Sequence, residues 1–165
     1  MFSGASRKIV IDWQNFLRHI CCQYLINYPV QMGRPGRTVE IDESKFMHRK
    51  YYRGAYHEGY WVLGMVEQES NLCMTVAVES RSADVLIPII AQHALPGTRV
   101  LTDGWAAYNQ LPQHKAVNHR LHFVDPNDRT PHKYSRRQLV TCEDQVQSGG
   151  TSDSLFNSYL KEFLW

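Results

Sequence analysis

At 165 residues the chain suits one domain built on a single sizeable core, and 43% apolar with 21% charged residues is ordinary for a globular protein. A net charge of +2 and a pI near 8.4 are too mild to argue nucleic-acid binding by themselves. No apolar run approaches the roughly eighteen residues of a membrane span, and the first residues lack the apolar core of a signal peptide. Cys21, Cys22, Cys73 and Cys142 form no CxxC pair and assemble no zinc ribbon. The expectation is therefore reduced thiols in an intracellular protein, nuclear if eukaryotic.

Ser6 is placed to cap a helix reaching to about Asn27, with Ile9, Trp13, Phe16, Ile20 and Tyr24 at helical spacing as its buried stripe. The prolines and glycines between Pro29 and Gly36 read as a linker. Thr38 to Ser44 is the first strand. Lys45 to Gly54 follows, a basic stretch interleaved with aromatics; it suits phosphate contacts, although a short charge run is more often a solvated hairpin. Gly59 to Val66 and Leu72 to Val78 complete an antiparallel meander. Ser82 is placed to cap a helix with Val85, Leu86, Ile89, Ile90 and Ala94 on one face, bent at Pro88. Arg99 to Asp103 returns as a strand, and a strand–helix–strand passage of this kind makes the pair parallel. A short helix over Trp105 to Leu111 and a last short strand over Ala116 to Leu121 come next. Asn127 to Ser148 is polar and without a helical apolar stripe, so it is predicted to be the least regular part. Ser152 heads a closing amphipathic helix through Leu155, Phe156, Tyr159, Leu160 and Phe163.

The chemistry gathers in the first strand. Val39 and Ile41 alternate with Glu40 and Asp42, and Glu43 adds another carboxylate. Like charges this close repel, and a divalent cation is one reason to hold them together; a solvated acidic edge strand is the other reading. A second acid stands in a matching context, because Val100-Leu101-Thr102 ends in Asp103 and a turn at Gly104. Glu40 and Glu43 read equally as supports for Asp42 and as solvated surface.

Six runs carry a resemblance: GRTVEIDESKF (Gly36 to Phe46), RKYYRG (Arg49 to Gly54), EGYWVLGMVE (Glu58 to Glu67), VLTDGWAAY (Val100 to Tyr108), VNHRLHFVDP (Val117 to Pro126) and GGTSDSLFNSYLKEFLW (Gly149 to Trp165). In this order they resemble the catalytic domain of DDE transposases of the ISXO-like or Merlin type. The resemblance covers nearly the whole chain except roughly Asn127 to Ser148. It implies a ribonuclease-H-like α/β fold, a mixed five-stranded sheet flanked by helices. Residues 1–36 become a helical lead-in and linker, and residues 37–165 the transposase domain. It further implies DNA transposition by two-metal phosphoryl transfer, with Asp42 and Asp103 as the catalytic, metal-holding acids and Mg2+ or Mn2+ as the cation. Lys45, Arg49, Lys50, Arg53 and His119 are the implied DNA contacts. The implied partner is double-stranded DNA, as transposon ends and target; a homodimer is compatible, and no membrane is involved.

The resemblance breaks at the third acid. The family pattern resembles H-T-x-x-I-E-x-x-W, and where its Glu is expected stands Arg136. A cation there repels metal ions, and Glu143 and Asp144, further along, are poor substitutes. The resemblance therefore implies a catalytically impaired copy, with two alternatives: a non-cleaving DNA-binding module derived from a transposase, and an active nuclease whose last ligand comes from elsewhere. Reading the codons of residues 131–147 one nucleotide later permits HTNTVEGNWSHVKTKFK, which restores the pattern with Glu where Arg136 stands and Trp where Leu139 stands. Residues 127–148 are accordingly read as degenerate or out of frame, through paired indels or a misplaced exon boundary.

Overall fold

The computed structural model describes residues 4, 6–46, 58–116, 134–148 and 156–164. Helix α1 spans Arg7–Asn27; strands β1, β2 and β3 span Thr38–Phe46, Tyr60–Glu67 and Cys73–Val78. Helix α2 is Ala83–His93, β4 is Arg99–Thr102, and a turn of 3₁₀ helix covers Ala106–Gln110. Strand β5 (His114–Ala116) and helices α3 (Tyr134–Ser148) and α4 (Phe156–Phe163) complete the described elements. The sheet runs β3-β2-β1-β4-β5. The first three strands are antiparallel neighbours, and β4 lies parallel to both β1 and β5. This is the expected mixed five-stranded sheet flanked by helices. The last strand falls earlier than predicted, and residues 117–121 lie outside the described part.

Alternation along β1 sends Val39 and Ile41 to one face and Glu40, Asp42 and Phe46 to the other. On the first face Val39, Ile41, Leu63 and Met65 pack with Leu86 and Ile90 of α2, which continues through Pro88. On the second, Phe46 and Val62 lie beneath Leu139, Cys142 and Val146 of α3 and Phe156 and Leu160 of α4. The predicted irregularity is thus corrected over 134–148, which form a regular helix. Among the described residues its stripe is Leu139, Cys142 and Val146, set among polar neighbours and too sparse for periodicity to find. A Cβ at Gly64 would lie 2.7 Å from Leu139 Cδ2, so glycine in β2 is what lets α3 approach this closely.

Helix α1 has the predicted bounds and Ser6 cap, with Ile9 N–H donating to Ser6 Oγ at 3.4 Å. Its buried face is not the predicted one. Ile9, Trp13, Phe16, Ile20 and Tyr24 are 44–59% exposed, whereas Arg18 and Cys21 are buried. On this face Arg18 donates from Nε to Glu162 Oε2 at 2.7 Å, with its guanidinium 3.9 Å from the Tyr159 ring centre on α4.

The predicted linker is tied down. Met32 exchanges backbone hydrogen bonds with His93 and Leu95, and Gly33, at φ +80°, donates its N–H to Glu67 Oε1 at 3.1 Å. No described helix is long and apolar enough to cross a membrane.

Candidate metal and DNA site

The parallel pairing of β1 and β4 matches Thr38, Val39 and Glu40 with Arg99, Val100 and Leu101. Strand β1 then runs on while β4 ends at Thr102, so Asp103 emerges beside Asp42. Gly104, at φ +83°, turns the chain away, and Trp105 N–H closes the turn by donating to Asp103 Oδ1 at 3.0 Å. Thr102 secures the strand end through a 2.7 Å hydrogen bond between Oγ1 and His114 Nε2. Burial holds the His114 pKa below its ordinary value.

One oxygen each from Asp42, Glu43 and Asp103 lies within 4.8 Å of the others. The two strand acids predicted to meet are brought together, Asp42 partly buried and Asp103 at the more open edge of the group. Carboxylate oxygens at this spacing suit a hard divalent cation. Among the described residues neither Glu143 nor Asp144 joins this group. Position 136 lies in the first turn of α3, one turn before Leu139.

The flanking acids are not solvated surface. Glu40 is fully buried, accepting from Gln68 Nε2 at 2.5 Å. The Glu43 side chain has no exposure at all. Its Oε1 accepts the Tyr108 hydroxyl, and its Oε2 pairs with Arg81 at 3.1 Å. Burial, then the Glu43 charge, raises the Tyr108 pKa far above the ordinary phenol, so Tyr108 is a permanent donor. Arg81 itself lies over two indoles, 4.8 Å from the Trp61 centroid and 4.5 Å from that of Trp105. Sequence reasoning missed Arg81, Trp61, Trp105 and Tyr108 as a set. The available signal was that a carboxylate beside Asp42, once buried, requires a cation and a donor.

Tyr108→Phe should therefore cost about 1.5–3 kcal/mol, the worth of a hydrogen bond to a buried charge. Urea unfolding measures it; a loss within about 0.5 kcal/mol would mean that Glu43 does not depend on the hydroxyl.

Of the predicted DNA contacts, Lys45 lies on β1 with its ammonium 5.6 Å from the Trp61 ring centre. Arg49, Lys50, Arg53 and His119 lie outside the described residues.

A mixed sheet with one acid within β1 and a second just past the end of the adjacent β4, covered by helices, is consistent with the ribonuclease-H-like fold of DDE transposases. Residues 36–165 match the ISXO2-like transposase domain, and the chain belongs to that family. No curated protein matches it. Membership associates the chain with DNA transposition, DNA binding and the divalent metals that such domains use.

Proposed function

We propose that this chain is a transposase-derived DNA-binding domain of the Merlin branch whose metal-dependent cleavage is impaired. The observation that supports this reading is the meeting of Asp42 and Asp103, taken with an arginine, Arg136, where the resemblance expects the family's third acid. The donor set fits a hard cation, and Asp42 and Asp103 would hold Mg2+ or Mn2+. Bound there, the metal supplies activation of an attacking oxygen and relief of charge on the leaving one. The chain itself presents the two carboxylates side by side where β4 ends against β1. Lys45, with Arg49, Lys50, Arg53 and His119, is assigned to the phosphate backbone.

Supercoiled plasmid incubated with the purified protein and Mg2+ or Mn2+ tests this. No nicking is expected, together with duplex binding that weakens steeply as salt rises. Nicking that disappears in Asp42→Ala would overturn the impairment. Absence of salt-sensitive binding would overturn the DNA role.

A further inference from the structure

We propose that Glu43, Arg81 and Tyr108 form a positioning clamp that holds the Asp103 turn beside Asp42, so that Glu43 serves the cation site through Arg81 and not as a metal ligand. This rests on the cation-site reading above and adds what sets the geometry of that site.

Both oxygens of Glu43 are already engaged, Oε1 by the Tyr108 hydroxyl and Oε2 by Arg81 at 3.1 Å, in a side chain with no exposure. Ligating a metal would mean competing with a phenol and a guanidinium together. Alternation also places Glu43 on the α2 side of the sheet and Asp42 on the α3 side. Their link runs through the backbone, where Glu43 N–H donates to Asp42 Oδ1 at 2.9 Å.

From Glu43 a continuous path leads to the other acid. Arg81 pairs with Glu43, and its guanidinium lies over Trp61 of β2 and over Trp105. Trp105 Nε1 donates to the Arg81 carbonyl at 3.0 Å, while Trp105 N–H donates to Asp103 Oδ1 at the same distance. Tyr108, in the same connection as Trp105, returns to Glu43. The segment bearing Asp103 is thus fastened twice to the residue after Asp42. A planar guanidinium suits this geometry, because it can lie over indole faces while one of its N–H groups, on Nη2, reaches the carboxylate.

Charge and position predict opposite results for Arg81, which makes the clamp testable. A cation near a metal site opposes metal binding, so on charge alone its removal tightens binding and Lys in its place changes nothing. If Arg81 positions the acids, both changes weaken binding. The experiment titrates the full chain with MnCl2 and follows the free aquo-ion by electron paramagnetic resonance. Circular dichroism confirms folding, and Asp42→Ala serves as the site control. Arg81→Met and Arg81→Lys are each expected to raise the Mn2+ dissociation constant by about 10–100-fold, the scale seen when partners orienting metal ligands are lost. Should Arg81→Met not fold, the charge-conserving Arg81→Lys decides alone. Unchanged or tighter binding in a folded Arg81 variant overturns the clamp and leaves the cation site standing. Failure of the parent chain to bind Mn2+, or binding unaffected by Asp42→Ala, overturns the cation-site reading and the clamp with it.

Discussion

Arg136→Glu is expected to restore metal-dependent plasmid nicking that the parent chain lacks, because it returns a carboxylate to a site that works through bound divalent cations. The expectation follows from where α3 sits. Leu139 lies against Gly64, and Gly64 is the residue of β2 paired with Asp42. Position 136 is one turn earlier, and a turn of helix is about 5.4 Å. Position 136 therefore lies on the helix that covers the Asp42 side of the sheet, and the substitution exchanges a basic residue for an acidic one. The gain should vanish when Asp42→Ala is added. Substituting HTNTVEGNWSHVKTKFK for residues 131–147 should do at least as well, because it supplies Trp and basic residues along with the acid. A folded Arg136→Glu protein that still does not nick, with the longer replacement equally silent, would refute a defect confined to this segment. The coding nucleotides test its origin separately: a shifted frame lacking Glu at codon 136 or Trp at codon 139 would exclude a lost reading frame.

Leu139→Ala should destabilise the domain by about 2–5 kcal/mol, the range for deleting a large aliphatic side chain from a packed interior. Leu139 is 1% exposed and packs in one cluster with Phe46, Val62 and Phe156. Its loss would leave space beside Gly64, which has no side chain to fill it, and relaxation by β2 is opposed by its pairing on both edges. The neighbouring Val140 is 53% exposed, so Val140→Ala should stay within about 0.5 kcal/mol. Urea midpoints measured on both variants provide the comparison. Equal, small effects would mean that α3 contributes little to the folded domain.

The architecture was legible because β1 to β4 announce themselves locally: apolar alternation, turn residues at hairpin spacing, and one crossover whose hand is constrained. The approach of Asp42 and Asp103 followed from the same topology and from the family motifs. Burial partners were not legible. The apolar residues of α1 have impeccable helical spacing, yet the face turned inward is the one carrying Arg18 and Cys21, where Arg18 pairs with Glu162 of the last helix. Helix α3 escaped notice for the converse reason, since its packing depends on a glycine in β2 more than on its own pattern. Glu43 looked like one more acid on a charged strand. What distinguishes it is Arg81, 38 positions away along the chain, a pairing that no local periodicity can express.

Cys142 gives the helix that carries position 136 its own clock. The thiol, on the face of α3 turned toward the sheet, is completely buried, and burial pushes its pKa up to about 12. At neutral pH it is therefore both covered and protonated, and an alkylating reagent needs the thiolate. Modification then waits on the lifting of α3 from the sheet. Where reclosure outruns the chemistry, the modification rate scales with the fraction of molecules open at any instant. A native cysteine thus converts the undocking of this helix into a rate that can be compared between the parent chain and its Arg136 variants, with no label engineered into the segment under study.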